Sequence, residues 1–339
     1  MRADPPELRR RHVRARLRPS WIACLGCALL SAPACRPPQG DPASQAAAPT
    51  STGAPLTVFV TIPPQAYFAS RVGGDLVRVH TLVGVGQSPH TFEPTPRQVA
   101  ELSGAQVYFT IGMPFEEPLV AKLRGASVRV VPTHAGIAVR TLTADEASGS
   151  HEHDHAEGEA HDHSHEAGQP DPHTWLDPRL AARQAQAMCA ALCALKPDSA
   201  AAFEANLKAL TNDLDALHER IATLLAPLKG REFYVFHPAY GYFADAYGLQ
   251  QVAVERDGKE PGPRELAALI ERARAAGTRI VFYQPQYSKA TAETLARELH
   301  GTAVPLDPYA GDYLRDLEAL AQHLERAIVT AEAQRTEHP

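Results

Sequence analysis

From Phe203 to Leu225 the chain carries one unbroken apolar stripe. Phe203, Leu207, Leu210, Leu214, Leu217, Ile221, Leu224 and Leu225 recur at steps of four and three, with Glu204, Lys208, Asp213 and Glu219 between them. That spacing is one face of an amphipathic helix. Begun by Asp198 and Ser199 and run over 198–228, the helix holds roughly 30 residues and spans roughly 45 Å at 1.5 Å per residue. Such a helix outgrows a single small lobe and suits a bridge between two. On either side the pattern changes to short apolar runs alternating with helical stretches. Before it come Val58–Ile62, Val77–Val83, Val107–Ile111 and Val128–Val131; after it come Phe233–Phe236, Gln251–Val254, Ile280–Tyr283 and Thr302–Leu306. Helices are expected near Arg264–Ala276 and Asp312–Ala331, and Thr95-Pro96-Arg97-Gln98 carries a capping-box signature with Pro at the first helical position. Strands alternating with helices predict an α/β architecture with mostly parallel sheets. The fold expected is two parallel-sheet α/β lobes joined by one long helix.

A chain of 339 residues is long enough for two such lobes. Its ends differ sharply in character. Residues 1–34 hold seven arginines against Asp4 and Glu7, a net +5, which leaves −11 for the remainder of a chain whose total is −6. A body so acidic is a poor partner for nucleic acid, whose phosphates call for a basic footprint. The arginines precede the apolar run Trp21–Leu30 and then Ser31-Ala32-Pro33-Ala34-Cys35, the layout of an export signal with a small-residue cleavage site. The run is too short for a permanent membrane span. Cys35 resembles the lipidated first residue of a bacterial lipoprotein, although Ala32-x-Ala34 also suits ordinary signal cleavage. Residues 35–55, rich in Pro, Gln, Ala, Ser and Thr, read as a disordered tether. Residues 56–177 are then the N-terminal lobe, 178–229 a helical segment containing the long helix, and 230–339 the C-terminal lobe. Beyond Cys35 only Cys189 and Cys193 remain, spaced i,i+4 on an expected helix. They read as two small apolar residues on a buried face, or else as a metal or redox pair.

Sixteen histidines mark the chain, and His151, His153, His155, His161, His163 and His165 fall in one stretch among Glu152, Asp154, Glu157, Glu159, Asp162 and Glu166. Imidazoles mixed with carboxylates suit borderline divalent metals. The stretch, 148–169, has no large apolar residue and reads as an auxiliary metal-capturing loop within the N-terminal lobe. His151-Glu152-His153-Asp154-His155 literally matches the zinc-protease motif, but its surroundings offer no amphipathic helix to hold two imidazoles on one face. Three further histidines stand alone in Pro-flanked segments: His90 in SPHTFEPTP, His173 in DPHTWLDP, and His237 in FHPAYGYF. Each lies in a loop or just past a strand, where α/β sheets build their sites. Spacing by itself leaves each open as a ligand or as a hydrogen-bonded structural residue.

The ordered set of these motifs, with the later PQYS and LDP, resembles the metal-receptor cluster of ABC-transporter solute-binding proteins, in its zinc branch. The resemblance runs from Leu56 to about Ile328. It implies a cleft between the lobes in which His90, His173 and His237 give nitrogen ligands and Asp307 the carboxylate position. Three imidazoles with at most one carboxylate fit zinc better than manganese, whose receptors in the cluster usually carry Glu at the place of His237. One departure is Gln284, where the family often has Glu. The function implied is a non-catalytic, extracytoplasmic receptor, a monomer, that holds Zn2+ as cargo. It delivers the ion to a membrane permease with its cytoplasmic ATPase and meets the membrane only through an anchor at Cys35. Rivals are a manganese, nickel or cobalt receptor of the same fold, a surface adhesin or metal-sequestering lipoprotein, and a zinc hydrolase with Glu93 as base, although Glu93 reads more simply as part of a turn.

Overall fold

The computed structural model describes residues 53–142, 170–255 and 260–337. The expectations for 1–34, for Cys35, for the tether as far as residue 52 and for the histidine-rich stretch 148–169 lie outside those residues. The first half runs β1 (Leu56–Val60), α1 (Pro63–Gly73), β2 (Val77–Thr81), α2 (Pro96–Ser103), β3 (Val107–Thr110), α3 (Glu116–Lys122) and β4 (Arg129–Pro132). Two helices follow, α4 (Pro178–Leu195) and α5 (Ala200–Leu225). The second half runs β5 (Glu232–Val235), α6 (Gly241–Tyr247), β6 (Gln250–Ala253), α7 (Pro263–Ala275), β7 (Ile280–Tyr283), α8 (Lys289–Glu298), β8 (Thr302–Pro305) and α9 (Tyr313–Glu337).

The strands form two four-stranded sheets of matching order, β2-β1-β3-β4 and β6-β5-β7-β8, and every pairing is parallel. Central strand β3 is buried at all four positions and β5 at three of its four, as expected for sheets covered by helices on both faces. Edge strand β2 instead alternates, with Arg78 and His80 exposed. The capping box at α2 is complete: Thr95 Oγ1 accepts from the Gln98 amide at 3.3 Å, and Gln98 Oε1 accepts from the Thr95 amide at 2.9 Å. Gln98 Nε2 also donates to Leu82 O at 3.0 Å, which fixes the start of α2 to the end of β2 and so bounds the loop that carries His90.

The long helix is α5, 26 residues or about 39 Å. It is shorter than the 198–228 expected because single 3-10 turns, Pro197–Ser199 and Ala226–Leu228, flank it. Each turn contains a proline near its start, where the missing N–H is tolerated. The stripe is buried at Phe203, Leu210, Leu214, Leu217, Ile221 and Leu225, with Leu207 and Leu224 on its shoulders. It packs on α1, α4 and α9. One continuous apolar cluster therefore draws Val58, Val60 and Phe109 from the first sheet and Phe233, Val235 and Phe282 from the second. Smaller clusters lie on the outer face of each sheet, around Tyr108 in one and Tyr234 in the other. Cys189 is buried in the large cluster and Cys193 packs against it; both thiols are free, 3.8 Å apart, and burial pushes Cys189 up to about 12. Among the described residues, no helix is long and apolar enough to cross a membrane.

Candidate metal centre

His90, His173 and His237 come together: one ring nitrogen of each lies within 4.8 Å of the others. His90 sits in the loop between β2 and α2, His173 just before the 3-10 turn Thr174–Leu176, and His237 two residues past β5. Strand β5 neighbours both β6 and β7, so its end is the switch point of the second sheet, where α/β sheets open a crevice. His90 Nε2 and His173 Nε2 are 3.3 Å apart. Two nitrogens bound at about 2.0–2.1 Å to one tetrahedral zinc would stand roughly 3.3–3.4 Å apart, so this pair already has the spacing of a shared ion. His173 is 1 % exposed and His237 1 %.

The outer nitrogens of the two buried rings are committed to carboxylates. His173 Nδ1 donates to Asp171 Oδ1 at 2.7 Å, and His237 Nδ1 donates to Glu255 Oε1 at 2.5 Å. A proton held on Nδ1 leaves the Nε2 lone pair facing inward, the tautomer a metal requires. Burial lowers the proton affinity of His173, more than the Asp171 carboxylate restores it. Burial pushes the Asp171 carboxyl up, yet the bonds from His173 and Arg140 bring it below the usual carboxylate range. Both effects keep the imidazole neutral and the carboxylate charged. Aromatic rings wall the centre: Tyr287 stacks on His237 at 4.7 Å between centroids, and Trp175 lies 5.2 Å from His173.

Asp307 is two residues past β8 but is not one of the clustered groups. Its Oδ1 accepts from Gln286 Nε2 and from the Tyr309 amide, both at 3.0 Å. Tyr309, fully within the core, brings its hydroxyl to 3.4 Å from His90 Nε2. Glu93 is exposed. The six histidines between 151 and 165 lie outside the described residues.

Sequence reading passed over Asp171, Glu255 and the reason for Gln284. Asp171 stands in the quoted DPH motif, and Glu255 ends the apolar run Gln251–Val254, a buried charge at a strand's carboxyl end; that placement was the available signal. Gln284 is 1 % exposed and pairs both ways with the main chain of His237: its Oε1 accepts from His237 N at 3.0 Å and its Nε2 donates to His237 O at 2.7 Å. An amide makes both bonds at once, which an ionised carboxylate, an acceptor only, cannot. Gln284→Glu, which restores the residue more usual in the family, is expected to set a carboxylate oxygen against His237 O. The cost is about 1–3 kcal/mol in urea unfolding, with weaker metal binding; unchanged stability would sink this account of Gln284.

Two lobes with parallel sheets and a clustered histidine triad define a metal-binding solute receptor. The family model described as zinc-uptake complex component A, periplasmic (ZnuA), matches residues 58–327, and the chain belongs to that family. A high-affinity zinc uptake system protein ZnuA from Yersinia pestis is 27 % identical over 284 residues, 80 % of this chain and 89 % of that one. A crystal structure of ZnuA superposes with a TM-score of 0.71 at 36 % identity, covering 81 % of this chain and 99 % of the other. A ZnuA deletion mutant with zinc bound superposes at 0.70 and 37 % identity, covering 80 % and 98 %.

Proposed function

We propose that this protein is an exported receptor that binds Zn2+ through His90, His173 and His237 and passes it to an ABC permease for uptake. The observation that carries the reading is the convergence of three imidazole nitrogens, two of them on rings whose other nitrogen is bound to a buried carboxylate. That donor set is borderline-soft and matches zinc, while manganese prefers oxygen. The zinc-bound relative supports the same cargo. Both bonds from Gln286 and Tyr309 fall on Asp307 Oδ1, which leaves its other oxygen as the ligand it could offer, so three nitrogens are the core of the site and the fourth position belongs to Asp307 or to water. Binding and release are the whole of the activity, with no catalytic step. Export by the 1–34 leader, an anchor at Cys35 and an auxiliary role for 148–169 belong to the same proposal.

Chelator-competition titrations with zinc and manganese, on the exported chain intact and with residues 148–169 deleted, test it. The expected result is one tight zinc site that survives the deletion, with manganese at least about a hundredfold weaker, a gap of about 2.7 kcal/mol. Tight binding lost together with 148–169 would move the function to that segment and make the protein a metal-sequestering one. Manganese binding as tight as zinc would overturn the choice of cargo.

A further inference from the structure

On the flank of the metal centre, one arginine joins two carboxylates from different halves of the chain. Arg140 Nη1 donates to Asp171 Oδ2 at 2.9 Å, and Arg140 Nε donates to Asp245 Oδ2, also at 2.9 Å. Asp171 is fully buried and belongs to the segment leading into His173; Asp245 lies on α6 of the second half. The arrangement is held on several sides. The Arg140 amide donates to Tyr242 Oη at 3.0 Å, and the Tyr242 hydroxyl donates to Asp171 O at 3.0 Å. The guanidinium lies 5.8 Å from the centre of the Tyr242 ring. Arg140 O accepts from the Asp171 amide at 3.0 Å, next to the antiparallel bridge between Thr141 and Pro170.

Gly241 shows how tightly this is built. A Cβ added there would fall 1.8 Å from Arg140 Nη1 and 2.9 Å from Asp171 Oδ2. The first residue of α6 must therefore be glycine for the arginine to reach between the two carboxylates. Arg140 occupies one oxygen of Asp171, while His173 occupies the other with both its Nδ1 and its main-chain amide. With both oxygens taken, the carboxylate cannot rotate away from the ring it orients.

We infer that Arg140 is a positioning residue for metal retention, setting the orientation of His173 through Asp171 and tying that orientation to α6 through Asp245 and Tyr242. The inference rests on the proposed zinc site. A planar guanidinium serves here because its fork reaches two carboxylates in fixed directions, which an ammonium cannot. Arg140→Gln leaves Asp171 held through Oδ1 alone, by the His173 ring and the His173 amide at 2.9 Å, so the carboxylate is free to swing about that oxygen and His173 samples orientations that do not face the ion. Arg140→Lys keeps a cation on Asp171 and loses the fork to Asp245.

The test measures zinc dissociation into excess chelator from the full exported chain. Nitrogen chemical shifts of the His173 ring are read in the same samples. Arg140→Gln is expected to release zinc about tenfold faster, the lower end of what loss of an outer hydrogen-bond partner costs a metal site. Its His173 Nδ1 signal should move away from the hydrogen-bonded N–H position. Arg140→Lys should release zinc roughly threefold faster, a partial rescue scaled from the same range. A purely structural role would lower the melting temperature and leave both readouts at their wild-type values. Wild-type release rates in Arg140→Gln, or in Arg140→Lys alone if the glutamine variant does not fold, would overturn the inference. Wild-type protein that binds no zinc would overturn the site reading itself, a different result from tight wild-type binding with unaffected variants.

Discussion

His237→Ala is expected to weaken zinc binding by at least about a hundredfold in chelator competition while the protein stays folded. Structural zinc sites gain about 10–16 kcal/mol from roughly four ligands, so one imidazole accounts for about 3 kcal/mol, somewhat more than a hundredfold. Wild-type affinity in this variant would remove His237 from the site. The more informative change is His237→Glu, which introduces the residue usual in manganese receptors. Glu255 sits 2.5 Å from the His237 ring, with 3 % of its own surface exposed, and donates nothing when charged. A second carboxylate beside it meets a like charge in a dry place. The single variant should therefore be destabilised and bind neither ion well. His237→Glu combined with Glu255→Gln supplies an amide donor to the new carboxylate, and only this pair should raise manganese relative to zinc. Equal manganese gains in the single and double variants would show that Glu255 has no part in metal choice.

Trp175→Ala should produce the largest loss of stability at the centre. The indole is fully buried, its Nε1 donates to Pro308 O at 2.8 Å, and its ring lies 5.2 Å from His173 and 5.7 Å from Tyr309. Its own carbonyl accepts from the Tyr313 hydroxyl at 2.6 Å. This one residue joins the His173 segment to the chain after β8 and to the start of α9. Truncation removes a large apolar side chain, leaves a cavity below the triad and strands the Pro308 carbonyl. The expected cost is about 3–5 kcal/mol in urea unfolding of metal-free protein, with zinc affinity reduced as the support of His173 loosens. Trp175→Phe keeps most of the volume and loses only the donor, so about 1–3 kcal/mol is expected. A loss below about 1 kcal/mol for the alanine variant would mean the cavity collapses and that the indole is not what holds these segments together.

The long helix was legible because its stripe needs nothing beyond local periodicity. Its ends were not: Asp198 and Ser199 read as a helix start but lie in the turn before it, Ala226 and Leu228 carry the apolar pattern into the turn after it, and only the prolines mark the change. The strands were legible as apolar runs, but β1 stops at Val60 although Thr61 and Ile62 are just as buried. Burial continues into the turn before Pro63, whereas pairing with β2 does not. The three histidines stood out by their Pro-rich settings, and only resemblance grouped them. Glu255 could not be assigned from sequence, because it reaches His237 across two neighbouring strands and not through any local spacing. Asp307 shows the converse difficulty. A motif gives a residue its place along the chain, yet which of its oxygens is already engaged depends on Gln286 and on the turn at Tyr309.

The apolar cluster that both sheets feed bears on how the cargo leaves. Parting the halves like a hinged door would wet that shared oil. Exposing roughly 200 Å² of it costs about 5 kcal/mol, as much as the whole stability of many domains. Loaded and empty forms should therefore differ by adjustments at the rim of the crevice, where polar contacts exchange with water at little cost. Release of a bound ion is then expected through a loosening of individual rings and loops, with the shared core kept closed.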